Sequence, residues 1–177
     1  MKKRNLLLIT LLLSLNCFSQ NFKEKFSKIS INKNVTNEKE DIVFEATKYI
    51  FSNRPNQSEE FIYATKIAGF WMNLETEYGM PTFGKFYESL SLKGQKFLFT
   101  TAMMHFLIKE KKENNRTIVN VKKEGIKYSE LETVKETQLE GGKILLKYID
   151  EKGLKTSSKT KKFLKEFKKG NLENYFF

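Results

Sequence analysis

Cysteine is nearly missing from this chain. The single one, Cys17, lies close to the N-terminus. Downstream of it no disulfide framework, thiolate metal site or cysteine nucleophile can form. Histidine is just as scarce: His105 stands alone, without the second ligand at helical spacing that a zinc site needs. Proline occurs twice, at Pro55 and Pro81, and Gly-rich turns are few, which disfavours an architecture of many short strands. No Gly-rich phosphate loop, nucleophile elbow or HExxH pattern is present. These gaps exclude the catalytic sets that a sequence most readily declares, and no cofactor is expected.

Positive charge and aromatic carbon are plentiful. Lys and Arg number 32 against 21 Asp and Glu, for a net charge of +11, and 16 Phe and 7 Tyr accompany the one Trp. Aromatics bury large areas each, so a chain of this length can build an adequate core without covalent staples. The first residues read differently from the rest. Lys2, Lys3 and Arg4 precede an apolar run from Leu6 to Leu15, followed by Cys17, Phe18, Ser19 and Gln20. A basic start, a short apolar segment and a small-residue cleavage site make a secretory signal peptide. Cleavage is expected after Ser19, with Cys17 and Ser19 at −3 and −1. A lipoprotein anchored through Cys17 is the weaker reading, because Ser14, Leu15 and Asn16 do not form a lipobox. The expected organisation is a signal peptide at 1–19, a polar lead at 20–37 and a helical domain at 38–177.

The stretch Phe97 to Ile108 should organise that domain. It leaves no wide polar face on a helix of period 3.6, so it must be covered. Lipid is not the cover, since Lys96 and Lys109 close the run well short of the roughly 20 apolar residues a bilayer demands. A central helix starting near Leu92 follows. Ahead of it, Ile42, Val43, Ala46, Tyr49 and Ile50 form a one-sided stripe that starts at an Asn37 cap and must stop before Pro55. Ser58 caps a helix from Glu59 to Glu75 with apolar residues on two sides, and its small Ala64, Ala68 and Gly69 should seat the central helix. Phe83, Phe86, Tyr87 and Leu90 predict a short helical piece. Thr117 to Val121 could be strand on β-branched content alone, but a rough helical beat from Ile118 to Val134 favours one or two helices over 117–140, broken near Gly125, with Gly141 and Gly142 as punctuation. A short helix over Ile144 to Ile149 should end at Gly153. A last helix, capped by Ser157 or Ser158, carries Phe163, Leu164 and Phe167, and the tail with Tyr175, Phe176 and Phe177 should dock. The fold class is therefore all-α: a single irregular bundle of about six or seven helices.

Two groups of residues could carry function. Trp71, Glu75, Glu77 and Tyr78 gather near a helix end, and with His105 they are the cleft candidates. Against them, a glycosidase needs two carboxylates facing across a gap, which sequence adjacency does not supply, and His105 reads as a core histidine bonded to a backbone carbonyl. No catalytic, metal or cofactor-binding residue is assigned. The second group is basic. Lys155, Lys159, Lys161, Lys162, Lys165, Lys168 and Lys169 ride on the C-terminal helix with little acid between them. A basic amphipathic helix can lie on an anionic membrane or hold an acidic polysaccharide. A packed helix with a lysine outer face for solubility is the plainer reading. The two differ in whether Phe163, Leu164 and Phe167 are buried. Nucleic acid is not expected, because the lysines lack interleaved Arg and aromatics at motif spacing.

The run ending in Phe18, Ser19 and Gln20 resembles export signals of secreted proteins of the Bacteroidota. With the helix around Ala64 to Trp71 and the basic C-terminal helix, the chain resembles small exported helical proteins of unknown function from that group. The resemblance implies export and an all-helical fold, and it transfers no catalytic residue. The expectation is an exported, non-enzymatic protein with a structural or protein-interaction role in the periplasm or at the cell surface. The alternative is a peripheral binder of anionic membrane or polysaccharide through 152–169.

Overall fold

The computed structural model describes residues 21–31 and 36–177. The expected signal peptide at 1–19, including Cys17, lies outside the described residues. Eight α-helices follow one another among the described residues: α1 (Phe22–Ile29), α2 (Asn37–Ser52), α3 (Glu59–Trp71), α4 (Gly84–Ser89), α5 (Gln95–Asn114), α6 (Glu132–Lys152), α7 (Ser158–Lys168) and α8 (Leu172–Phe176). No strand occurs among the described residues, and the protein is an all-α bundle. None of the described helices is long and apolar enough to cross a membrane.

Helix α5 is the centre. Phe99, Ala102, Met103, Leu107 and Ile108 are fully buried on it. One side of α5, with Met104, Phe106, Leu107 and Ile108, joins a core built with α1, α2 and α3. The other side, with Phe99, Ala102 and Met103, joins a second core built with α4, α6, α7 and α8. That division explains why the segment has no polar face: each side of the helix serves a different half of the bundle.

The segment expected as a polar lead folds as α1. Asn21 Oδ1 accepts from the Glu24 amide at 3.0 Å and starts the helix. Phe22 and Ile29 are buried in the first core, and Phe22 packs edge-on to Tyr49 at 5.2 Å. Helix α2 starts one residue earlier than the Asn37 cap predicts, because the Thr36 hydroxyl takes the Lys39 amide. It stops at Ser52, ahead of Pro55 as the sequence requires.

Four expectations are corrected. Helix α3 ends at Trp71 rather than Glu75. The Asn73 side chain donates to the Gly69 carbonyl at 2.7 Å and substitutes for the next helical amide. Second, α3 packs mainly on α1 and α2. It meets the central helix at Gly69, where a Cβ would lie 3.8 Å from Phe97. Third, α5 starts at Gln95, since Gly94 turns the chain at φ +84 and Leu92 stays outside the helix.

The fourth correction is the largest. The segment 117–127 is not helical. β-branched Thr117, Ile118, Val119 and Val121 resist the helix, and the backbone finds other partners. The Asn120 amide donates to the Tyr78 carbonyl at 2.9 Å, and its side chain reaches Gly79 O and Thr137 Oγ1, both at 3.0 Å. Gly79 has φ +63, and a Cβ there would stand 2.6 Å from the Asn120 carbonyl oxygen. After a 3-10 turn at Tyr128–Glu130, α6 runs unbroken through Gly141 and Gly142. Those glycines are contact points rather than punctuation. A Cβ on Gly141 would lie 2.5 Å from Met103 Cγ and 3.1 Å from Met103 N, and one on Gly142 would lie 2.6 Å from Phe176 Cε2.

Gly153, at φ +59, ends α6. The Ser157 hydroxyl caps α7 by accepting from the Thr160 amide at 3.0 Å. The tail docks as α8, with Leu172 and Phe176 buried and Phe176 4.9 Å from Phe86.

Candidate functional site

The cleft candidates do not form one site. Trp71 is fully buried, and its indole Nε1 has no hydrogen-bond partner among the described residues. Glu75, Glu77 and Tyr78 do share a depression of about 300 Å³. Its inner wall is made by two residues the sequence did not flag, Glu40 from α2 and Lys111 from α5. Glu40 is buried. The Tyr78 hydroxyl donates to its Oε1 at 2.7 Å, and Lys111 Nζ reaches Oε1 at 3.0 Å and Oε2 at 2.9 Å. Burial, then the Glu40 carboxylate, pushes the Tyr78 hydroxyl far up, so it stays a phenol that donates. Glu77 stands 3.7 Å from Lys111 on the solvent side. Every partner of Glu40 is a donor already engaged, so this cluster ties the start of α2 to the end of α5. It does not present a poised acid and base.

His105 lies elsewhere, in an open groove of about 510 Å³ between α2 and α6. The expected backbone carbonyl is not its partner. Its Nδ1 sits 2.9 Å from Thr47 Oγ1, and the Thr47 hydroxyl gives its own proton to the Phe44 carbonyl at 2.9 Å. With that proton on the Phe44 carbonyl, Thr47 accepts, Nδ1 carries the proton, and the lone pair is on Nε2. Phe44 stacks on the imidazole at 5.1 Å, and Phe51 tilts over it at 6.0 Å. Burial pushes the imidazole down to about 4, helped by the charges of Lys109 and Lys48, so it is neutral at physiological pH. A signal for this wall was present in the sequence: Phe44, Thr47 and Phe51 recur at helical spacing on α2, beside the stripe assigned to its core face.

The basic helix shows two contrasting sides. Phe163 is buried and Leu164 and Phe167 are half-buried, all against the second core. The apolar stripe is thus occupied by the domain and is not free to enter a bilayer. Outside, Lys168 pairs with Asp150 at 2.6 Å and Lys169 with Glu166 at 2.8 Å. Lys155, Lys159, Lys161, Lys162 and Lys165 take no ion pair among the described residues. Lys159 and Lys162 join Lys85 of α4 around a depression of about 330 Å³.

No group of three metal-ligating side chains occurs among the described residues. The chain matches no protein-family model, no curated protein and no solved structure.

Proposed function

We propose that this is an exported, non-enzymatic interaction protein of the periplasm or cell surface. Support for export comes from the basic, apolar and small-residue order of the first twenty or so positions. Support for a non-catalytic role comes from the engagement of the polar groups. The buried carboxylate of Glu40 is held by Tyr78 and Lys111, and the hydrogen-bond partner of His105 is the Thr47 hydroxyl rather than a carboxylate that would make it a stronger base.

The second reading names the contact surface. The protein adsorbs to an anionic surface of the envelope, an acidic polysaccharide or a charged headgroup layer, through the lysine side of α7. The observation that carries it is four lysines, Lys159, Lys161, Lys162 and Lys165, that take no ion pair among the described residues and lie on a helix whose apolar side is already packed. Adsorption of this kind acts through charge alone, so it weakens as salt shortens the screening length to about 10 Å at 0.1 M.

Co-sedimentation tests it, with polygalacturonate in one arm and vesicles rich in anionic lipid in the other. Replacing Lys159, Lys161, Lys162 and Lys165 by Gln should weaken retention at least about tenfold, since each lysine near an anionic surface contributes about 1 kcal/mol. The melting temperature should not move, because these lysines hold no ion pair among the described residues. Retention that is indifferent to both salt and the four substitutions would sink this reading.

A further inference from the structure

The groove over His105 is built for more than packing a histidine. Its floor is a neutral imidazole whose proton is fixed on Nδ1 by the Thr47 hydroxyl. His105 lines the groove, and its Nε2 takes no hydrogen bond among the described residues, so a ligand there can meet its lone pair. Aromatic carbon flanks it, with Phe51 edge-on to Tyr148 at 5.2 Å. The charged groups facing the groove are Lys48 from α2 and Lys147, Glu151 and Lys152 from α6. That is an excess of positive charge, and Glu151 is drawn toward Lys147 at 3.8 Å. Lys48 Nζ takes no carboxylate partner among the described residues and rests 5.3 Å from the Phe44 ring.

These features select a ligand. A divalent cation is disfavoured, because one nitrogen among lysines offers it repulsion. A purely apolar guest would strip water from the Nε2 lone pair and from the lysines without replacing it. A guest that satisfies the site must carry a donor for Nε2, an anion for Lys48 and a carbon face for Phe51 and Tyr148. We propose that the groove between α2 and α6 binds a sugar acid: a hydroxylated carboxylate of monosaccharide size, with a hydroxyl on His105 Nε2 and its carboxylate at Lys48. The volume of about 510 Å³ falls in the range of small-molecule sites, roughly 300–1,000 Å³. This site is separate from the lysine side of α7, and it stands or falls independently of that surface.

The chain has one histidine, so the long-range proton–nitrogen NMR spectrum of the full chain reports this site without overlap. Glucuronate is the test ligand, with glucose, acetate and inorganic phosphate as separate arms. The expected result is a saturable shift of the Nε2 signal with glucuronate, and binding at least about tenfold weaker for each of the other three. Lys48→Gln should weaken glucuronate at least about tenfold while leaving the Nδ1-bound proton in place. In His105→Phe the calorimetric heat of glucuronate binding should vanish while the melt stays cooperative; should that variant not fold, Lys48→Gln alone decides. An Nε2 signal that does not move at tens of millimolar glucuronate overturns the proposal. An equal response to acetate or phosphate overturns it too, since the site would then be a cationic patch without selectivity for hydroxyls.

Discussion

Replacing Gly141 by Ala should destabilise the protein, although helix propensity argues the other way. In a helix interior Ala is better than Gly by about 1 kcal/mol, and Gly141 is mid-helix in α6. Opposing that gain is the contact with α5. The new Cβ would stand 2.5 Å from Met103 Cγ and 3.1 Å from the Met103 backbone nitrogen. The Met side chain is flexible, but Met103 is fully buried in the second core. The backbone nitrogen can retreat only with the whole of α5. Overpacking of this kind costs typically 1–3 kcal/mol. Because backbone atoms must move, the cost falls in the upper half of that range, and the net is a loss of about 1–2 kcal/mol, or a fall in Tm of about 2–8 °C at the usual 2–4 °C per kcal/mol for this size. Gly69→Ala is the matched control. It too lies within a helix, but its Cβ would meet Phe97 at an ordinary 3.8 Å, so propensity should win and raise Tm by about 2–4 °C. Circular dichroism melts at 222 nm read both. A Gly141→Ala protein that melts at or above the wild-type temperature would refute the close approach of α5 and α6.

Three further outcomes are expected. Glu40→Gln removes the charge that Lys111 faces, and should cost about 1–3 kcal/mol in urea unfolding, less than a fully sealed pair because Lys111 can turn to Glu77 or water; in a double-mutant cycle with Lys111→Met the losses should be clearly sub-additive. His105 should make the fold acid-sensitive. Its folded value is about 4 against about 6.5 unfolded, so between those pH values the unfolded chain binds the extra proton. Stability then rises with pH across that window, and on acidification His105 accounts for a loss of about 2–3 kcal/mol. His105→Phe should flatten the dependence of the urea midpoint between pH 4 and 6.5 relative to wild type, and identical slopes would count against a buried neutral imidazole. Phe176→Ala should cost about 2–4 kcal/mol, because the ring is buried against Phe86 and Gly142; limited proteolysis should then clip the tail first, whereas an unchanged cleavage pattern would mean α8 contributes little.

Much of the architecture was legible in the order of residues. The run from Phe97 to Ile108 has no polar face, and hydrophobicity alone requires it to be enclosed. Ser58, Pro55, Gly153 and Ser157 mark helix ends through local chemistry: a hydroxyl that accepts an amide, a ring that blocks the helix, a left-handed turn. Such signals act within a few residues of chain. The basic helix was also legible as a pattern, down to the buried Phe163.

Tertiary structure decided what depends on residues far apart in the chain. Glycine at 141 and 142 reads as a break by itself, yet a Cβ there would run into Met103 of α5 and Phe176 of α8, and no local feature announces either neighbour. The stretch at 117–127 had its helical beat overruled by hydrogen bonds from Asn120 to Tyr78 and Gly79, about forty residues earlier in the chain. The candidate sites follow the same rule. Glu40 and Lys111 are joined across 71 positions, and Thr47 and His105 across 58. A side chain's partners, and hence its charge state and chemistry, are set by which helices pack together. Packing is a property of the assembled bundle, whereas caps, breaks and apolar faces belong to the chain itself.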